Sequence, residues 1–358
     1  MRISFLADAS LPHTRRWVDY FVRRGHECLL VSLEEGEGYD CSVAYLESTQ
    51  WLPRFLRYTT SVTAAARHLR NFAPELVNAH FLPNYGWMAT RMQARPLVLS
   101  TLGSDILVSA HRTALHRWRT RYVLARCDHV TSDGANLTRE IATFGYPEER
   151  ILTVPFGVEV ERFEPAPERP ESPIVILSTR RLEPVYDVET LLHAVGRVRR
   201  EKRNRLVLRL AGSGSCEQAL RRVDVEPRAQ FLGWLDTPAL MQELAAAHVY
   251  VSTSLSDSTS VSLLEAMAAG CLPVVSDIDG NREWVRDGEN GLLFPSGDAD
   301  ALARCLEKAA DDAPLRARAA TANRQIVAER GSWRASMARV EHLFSGLAAR
   351  ARRRGVGA

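Results

Sequence analysis

Two carboxylates eight residues apart, Asp257 and Glu265, bracket the stretch of this chain with the most obvious chemistry. Between them run Ser258, Thr259, Ser260, Val261 and Ser262, before the apolar pair Leu263 and Leu264. The pattern predicts a strand ending at Val251, a polar loop, and a helix from Val261 to Ala269. Ser260 is a good N-cap for that helix, and Gly270 is its stop. A polar loop that ends at a helix N-terminus offers free backbone N–H groups and the positive end of the dipole, which suits a phosphate. One acid lies on the loop and one on the helix, so both can face one ligand. The same pattern also describes an ordinary β-loop-α unit with a capped helix and surface acids.

The elements needed to hold this stretch read as a repeated α/β alternation. Ile3–Ala7 is a buried strand, a loop runs from Asp8 to Pro12, an apolar-spaced helix follows (Trp17, Val18, Phe21, Val22), and Cys28–Val31 is the next strand. That βαβ opening signals a doubly wound parallel sheet, and no G-x-G-x-x-G dinucleotide fingerprint accompanies it. Leu76–His80, Leu97–Ser100, Cys127–Thr131 and Ile151–Val154 continue the rhythm. In such sheets ligands sit beyond the strand C-termini. His80, Asn84, Gly103 and Asp105 are therefore candidate cleft residues, with loop stabilisation an equal reading for each. Glu161–Pro173, with Pro165, Pro167, Pro170 and Pro173, reads as an interdomain linker. The alternation then restarts: strand Ile174–Leu177, helix Val188–Glu201, strand Leu206–Leu210 ending at Gly212, Ser213 and Gly214, strand Gln230–Leu232 ending at Gly233 and Trp234, and helix Thr237–Ala247. The expected layout is two Rossmann-like domains, 1–165 and 166–330, facing across a cleft. Residues 331–358 form a C-terminal helix that packs back on the first domain, and a basic tail, Arg350–Ala358.

Composition limits the function classes. At 358 residues, two domains are the natural prior. A hydrophobic share of 46%, a charged share of 25% and a net charge of +3 describe a globular protein with no pronounced charge bias. Lys202 and Lys308 are the lysines and all other basic side chains are arginine, which is read as coding bias rather than a nucleic-acid surface. Cys28, Cys41, Cys127, Cys216, Cys271 and Cys305 show no C-x-x-C spacing, so reduced thiols in a cytoplasmic protein are expected rather than a disulfide or zinc framework. No signal peptide is read at Met1-Arg2, and no apolar run reaches the ~18 residues of a membrane span. Two stretches are basic and aromatic: Arg112, Arg117, Arg119, Arg121 and Arg126 among Leu115, Trp118, Tyr122 and Val123, and Arg54, Arg57, Arg67 and Arg70 among Phe55, Leu56, Tyr58 and Leu69. They fit an anionic membrane surface, on the inner face of the cell membrane, or an anionic acceptor; a solvated helix face is the plainer alternative.

Placed in order, the motifs resemble those of the retaining glycosyltransferases of family 4, which have the GT-B fold. RGHECLLVS (Arg24–Ser32), TLGSDI (Thr101–Ile106), VPFGVEVERFEP (Val154–Pro165), LAGSG (Leu210–Gly214), EAMAAGCLPVVSD (Glu265–Asp277) and DGENGLLFPSGDADALA (Asp287–Ala303) follow the family's order over nearly the full length. The resemblance implies a UDP- or GDP-sugar donor held by the C-terminal domain and a glycan, glycolipid or small-molecule acceptor held by the N-terminal one. It implies transfer with retention, with no metal and no cofactor. Glu265 falls on the second acid of the family's E-x7-E motif, implied to take the ribose hydroxyls, and Asp257 on the first, implied to hold donor-sugar hydroxyls. The N–H groups of Ser260, Val261 and Ser262, beside Thr259, would meet the diphosphate. Gly233, Trp234 and Leu235 fall where the base lies, and Gly212, Ser213 and Gly214 form another wall. Arg181 falls on the arginine implied to neutralise the leaving diphosphate.

Four positions and one loop depart from the family pattern. Tyr186 stands where the family has a second cation, a lysine, and Asp187 where it has glycine. Tyr186 retains one hydrogen-bond donor, and Arg180 is a candidate to supply the missing charge. Asp257 replaces Glu. Leu102 stands at the family's histidine, and the usual Gly-Gly loop is ADASLPH (Ala7–His13), which brings Ser10 and His13 to the acceptor side. These departures keep a second reading open, a catalytically weak GT-B protein that binds a sugar nucleotide or scaffolds a glycosylation complex. A sugar-nucleotide epimerase of the same fold is disfavoured by the EAMAAG-x-PVV order.

Overall fold

A computed structural model describes residues 1–47, 51–165, 169–223 and 229–355, leaving aside the side chains of Arg54, Phe55 and Arg354. Pro167 of the expected linker and Val356–Ala358 of the basic tail lie outside the described residues, as do the side chains of Arg54 and Phe55 from the second basic stretch. The chain divides into two compact units, residues 1–154 with 335 onward, and residues 155–334.

The first unit holds seven strands: β1 (Arg2–Leu6), β2 (Glu27–Ser32), β3 (Ser42–Tyr45), β4 (Leu76–His80), β5 (Leu97–Ser100), β6 (His129–Ser132) and β7 (Ile151–Thr153). They form one parallel sheet in the order β3-β2-β1-β4-β5-β6-β7. The second unit holds β8 (Ile174–Ser178), β9 (Leu206–Ala211), β10 (Gln230–Gly233), β11 (Val249–Ser252), β12 (Leu272–Ser276) and β13 (Leu292–Phe294), parallel in the order β10-β9-β8-β11-β12-β13. Both are doubly wound. The strand order reverses once in each, between β1 and β4 and between β8 and β11, and ligands bind beyond the strand C-termini at such a switch point.

Alternation along the strands builds two cores in the second unit. Ile174, Ile176, Val249 and Val251 face the helices Val188–Arg197 and Ala299–Asp311, whereas Leu177 and Tyr250 face the helix Val261–Ala268. Val158, Val160 and Phe163 are buried in that second core. This is why the division falls after Val154, earlier than the boundary expected at 165. The described end of the Pro-rich segment, from Arg169, is strapped to the second unit. Arg169 donates to the carbonyls of Ala245, Ala269 and Gly270 at 2.9, 2.6 and 2.8 Å, so one guanidinium closes the C-terminal ends of two helices. The expected helix Val188–Glu201 stops at Arg197, because Val198 turns extended (φ −57°, ψ 137°) before a separate turn at Arg200–Arg203. From Ala335 the C-terminal helix Trp333–Gly355 belongs to the first unit, where Phe344 stacks on Phe21 and Glu341 accepts from Tyr20 at 2.9 Å.

Candidate active site

At the β8/β11 switch point the residue after Thr179 turns inward. Arg180 is 8% exposed, and both terminal nitrogens of its guanidinium are hydrogen-bonded. Nη2 donates to Asp257 Oδ2 at 2.6 Å. Nη1 donates to Ser262 Oγ at 2.9 Å and to Ser260 Oγ. The ring of Tyr186 covers one face, 4.1 Å from Cζ. Burial alone would lower the Arg180 pKa; the Asp257 carboxylate, with Tyr250 and Tyr186, outweighs it and holds the pKa above the ordinary value. Ser260 caps the helix Val261–Ala268 through a hydrogen bond from Leu263 N–H at 3.3 Å, so the cation stands against the positive end of that helix. Tyr250, fully buried on β11, closes the network through a 2.9 Å hydrogen bond between its hydroxyl and Ser262 Oγ.

Glycines let the surrounding loops approach this cluster. A Cβ at Gly212 would lie 2.6 Å from the Arg180 carbonyl oxygen, and one at Gly214 2.2 Å from that of Leu182. Gly212 N–H donates to the Gly233 carbonyl at 2.7 Å, and Ser213 O accepts from Leu182 N–H at 3.1 Å. The LAGSG loop is therefore clamped between β8 and β10. A Cβ at Gly280 would lie 2.3 Å from Ser258 O and 2.6 Å from Asp257 O, so the turn Asp279–Arg282 presses on the acidic loop from the other side.

The cluster gathers Arg180, Tyr186, Asp257, Ser260 and Ser262. Thr259 is buried beside Ser260, while Val261 and Glu265 are half-buried on the helix that Ser260 starts. Arg181, assigned to the leaving diphosphate by the motif, is not in the cluster. It is 66% exposed and pairs loosely with Glu183 at 3.7 Å. The strand β8 ends at Ser178, and the loop that follows buries Arg180 and leaves Arg181 exposed. Trp234 is 70% exposed at the end of β10, and Leu235 packs against the second core.

The β1/β4 switch point of the first unit is built differently. His80, at the end of β4, is 2% exposed, and its Nε2 meets Asn78 Oδ1 at 2.9 Å. Its ring lies edge-on to Trp17 at 5.2 Å. Burial, then the nearby His13, push the His80 pKa down to about 3, and burial pushes His13 down to about 4 against the pull of Asp8. Both imidazoles are neutral at pH 7. Ser10 is exposed and caps its own loop, its N–H and hydroxyl donating to Asp8 Oδ1 at 3.0 and 2.6 Å. Asn84 is half-buried on the π-helical turn Phe81–Gly86, where a polar loop was expected. Asp105 is not a cleft residue. It is 1% exposed and accepts from Leu82 and Leu102 N–H at 3.0 and 3.1 Å, tying two loops together. Burial raises its pKa to about 6 against those hydrogen bonds. Gly103 (φ 100°) supplies the left-handed residue that turns the chain into Ser104–Leu107.

Comparison with known proteins gives these two crevices a family. Residues 159–326 match the family described as glycosyl transferases group 1, and residues 2–134 the one described as glycosyl transferase 4-like. D-inositol 3-phosphate glycosyltransferase of Streptomyces scabiei is 30% identical over 307 residues, 76% of this chain and 68% of that protein. This chain is a family 4-like glycosyltransferase. The glycosyltransferase is also 27% identical, over 88% of its length and 89% of the relative's, to the GDP-mannose-dependent monoacylated alpha-(1-6)-phosphatidylinositol monomannoside mannosyltransferase of Corynebacterium glutamicum. Among solved structures it superposes on sucrose-phosphate synthase from Thermosynechococcus elongatus with a TM-score of 0.85 at 18% identity, covering 98% of this chain and 99% of that one. It superposes on Anabaena HepE in complex with UDP with a TM-score of 0.80 at 18% identity, covering 97% and 100%. The fold is GT-B.

One residue of the glycosyltransferase's second crevice, Tyr250, escaped the motif reading. Tyr250 gave one signal, a hydroxyl inside a Val-rich strand that needs a buried partner. Trp17, which covers His80, read only as helix core. Among the described residues no cluster of three or more His, Cys, Asp or Glu side chains has the geometry to hold a metal.

Proposed function

We propose that this glycosyltransferase moves a hexose or N-acetylhexosamine from a UDP- or GDP-sugar to a glycan, glycolipid or small-molecule acceptor, with retention at the anomeric carbon and without a metal or other cofactor. The observation that carries the reading is the buried Arg180 guanidinium at the N-terminus of the helix Val261–Ala268. In transfer the anomeric carbon exchanges its bond to a diphosphate oxygen for one to an acceptor hydroxyl oxygen, and negative charge grows on the diphosphate. A preorganised cation beside a helix N-terminus stabilises that charge. Glu265 is assigned to the ribose hydroxyls, and Asp257 acts beside the sugar. The mannosyl and inositol names of the relatives favour a GDP-sugar and an inositol-bearing acceptor as the first pair to try. The test is incubation of pure protein with a panel of UDP- and GDP-sugars and lipid or polyol acceptors, with product anomers read by NMR. Donor-dependent product of unchanged anomeric configuration is expected. Absence of donor binding and of donor hydrolysis across the panel would overturn the reading.

We also propose a cytoplasmic site of action on an anionic membrane face. The support is the helix Ala114–Leu124, whose outer side carries Leu115 (68% exposed) and Trp118 (53% exposed) among the exposed Arg112, Arg117 and Arg121. No described helix is long and apolar enough to cross a membrane. Co-sedimentation with phosphatidylglycerol vesicles is expected at low salt, falling as salt rises and roughly halved or more by Trp118→Ser with Leu115→Ser. Equal recovery with neutral and anionic vesicles would remove the proposal.

A further inference from the structure

One residue of the second crevice has a role that neither the motif nor its chemistry as a hydrogen-bond donor accounts for. Tyr186 ends the turn Pro184–Tyr186, which is pinned to the loop after β11: Leu255 N–H donates to Val185 O at 2.9 Å, and Thr253 Oγ1 donates to Tyr186 O at 2.8 Å. The residue after it, Asp187, is left-handed (φ 45°), and its carboxylate accepts from Thr190 Oγ1 at 2.7 Å. The backbone is thus fixed on both sides, and the ring it presents lies under a buried guanidinium, its centroid 4.1 Å from Cζ.

Electrostatics makes that guanidinium unusual. A cation at a helix N-terminus faces the wrong end of the dipole. One carboxylate, Asp257, offsets its charge and leaves the partial positive charge of the helix N-terminus. Two serine hydroxyls and that carboxylate take the terminal nitrogens, while Arg180 Nε–H is buried with no hydrogen-bond partner among the described residues. A buried, unsatisfied donor on a charged group next to helix N–H groups calls for a second anion.

We infer that Tyr186 is a positioning residue: its ring fixes the plane of the Arg180 guanidinium so that this one cation carries the donor's diphosphate. The inference rests on reading this crevice as the donor site. A lysine at 186 would repel Arg180, whereas an aromatic face holds a flat guanidinium and leaves its edge free to make hydrogen bonds. The sequence thus exchanges two separate cations for one cation and a ring that orients it.

The experiment measures UDP and GDP binding by calorimetry and uridine and guanosine binding by competition NMR, on the whole chain. Tyr186→Phe is expected to match the wild type. Tyr186→Leu is expected to weaken the preferred nucleoside diphosphate roughly tenfold, the scale of one desolvated cation–π contact, while leaving the nucleoside unchanged. Arg180→Lys, which keeps the charge and loses the plane, is expected to follow Tyr186→Leu and serves if the latter fails to fold. Diphosphate affinity unchanged in both Tyr186→Leu and Arg180→Lys would overturn the inference and leave the donor site standing. Equal losses for nucleoside and diphosphate would reduce Tyr186 to a packing role and also overturn it. A wild-type protein that binds neither nucleotide would overturn the donor reading itself, and this inference with it.

Discussion

The two units share a strand order and put their crevices at the same topological place, yet the crevices have opposite electrical character. At β8/β11 a buried arginine, an aspartate and a helix N-terminus meet within hydrogen-bond distance. At β1/β4 two histidines and a tryptophan meet, and burial keeps both imidazoles neutral. The same fold therefore places a buried cation in one crevice and two neutral imidazoles in the other. The difference lies in side chains placed on equivalent strand ends rather than in the architecture. This division is the one the proposed reaction, with a charged donor and a hydroxyl acceptor, would require.

Removing the cation should break that division most severely. Arg180→Ala leaves the Asp257 carboxylate, 22% exposed, without its guanidinium. Loss of one member of such a pair is expected to destabilise the second unit by ~3 kcal/mol. Loss of a preorganised donor at the developing charge is expected to lower kcat by about 10²–10³. Urea denaturation and initial-rate kinetics measure the two effects. A variant within tenfold of wild-type kcat would show that the charge of this crevice is not used in the reaction.

Each crevice also has one glycine pressed on its loop, and the pair tells the sites apart. A Cβ at Gly280 would meet the Ser258 and Asp257 carbonyls at 2.3 and 2.6 Å, and one at Gly36 would meet the Ala9 carbonyl at 2.0 Å. Backbone cannot yield as a side-chain tip does, so each substitution moves its loop by about an ångström, which costs ~10²-fold where placement matters. Gly280→Ala is expected to lower kcat and weaken the donor. Gly36→Ala is expected to raise the acceptor KM and leave donor binding intact. If both variants changed the same constant, the assignment of donor and acceptor to different units would fail.

Much of this was legible in the residues. The Val- and Leu-rich runs marked most strands within a residue or two, because strands buried on both faces of a parallel sheet are continuous apolar runs. Ser42–Tyr45 escaped because it is a half-buried edge strand between polar segments, with no such run. The loop and helix from Asp257 to Glu265 were readable because an N-cap and a helical stop are local signals. The motif put the diphosphate on Arg181 and offered Arg180 only as a candidate for the missing charge, because two adjacent arginines look alike in a motif and the loop after β8 decides which one is buried. Asp105 misled for a related reason. A buried acid that accepts two loop N–H groups has the same letter as one that binds a ligand.

Proton linkage gives the smallest effect and the most direct test of the neutral crevice. His80 and His13 have folded pKa values of about 3 and about 4, below the ordinary 6.5. As the pH falls below 6.5, the unfolded chain takes up protons that the folded chain refuses, so their contribution is full above pH 6.5 and declines toward pH 4. Asp105 works in the opposite sense. Its folded pKa of about 6, against 3.8, means the folded chain keeps a proton that the unfolded chain has released, a contribution lost as pH rises through about 6. Two histidines against one aspartate leave a net uptake of about one proton on unfolding between pH 4 and 6, or about 1.4 kcal/mol per pH unit of lost stability on acidification. His80→Gln should flatten that slope, and in the wild type two of the ten histidines should keep neutral-imidazole NMR shifts down to pH 5. If all ten titrated near 6.5, the first crevice would be positively charged in mild acid, and the contrast with the second would be one of degree rather than kind.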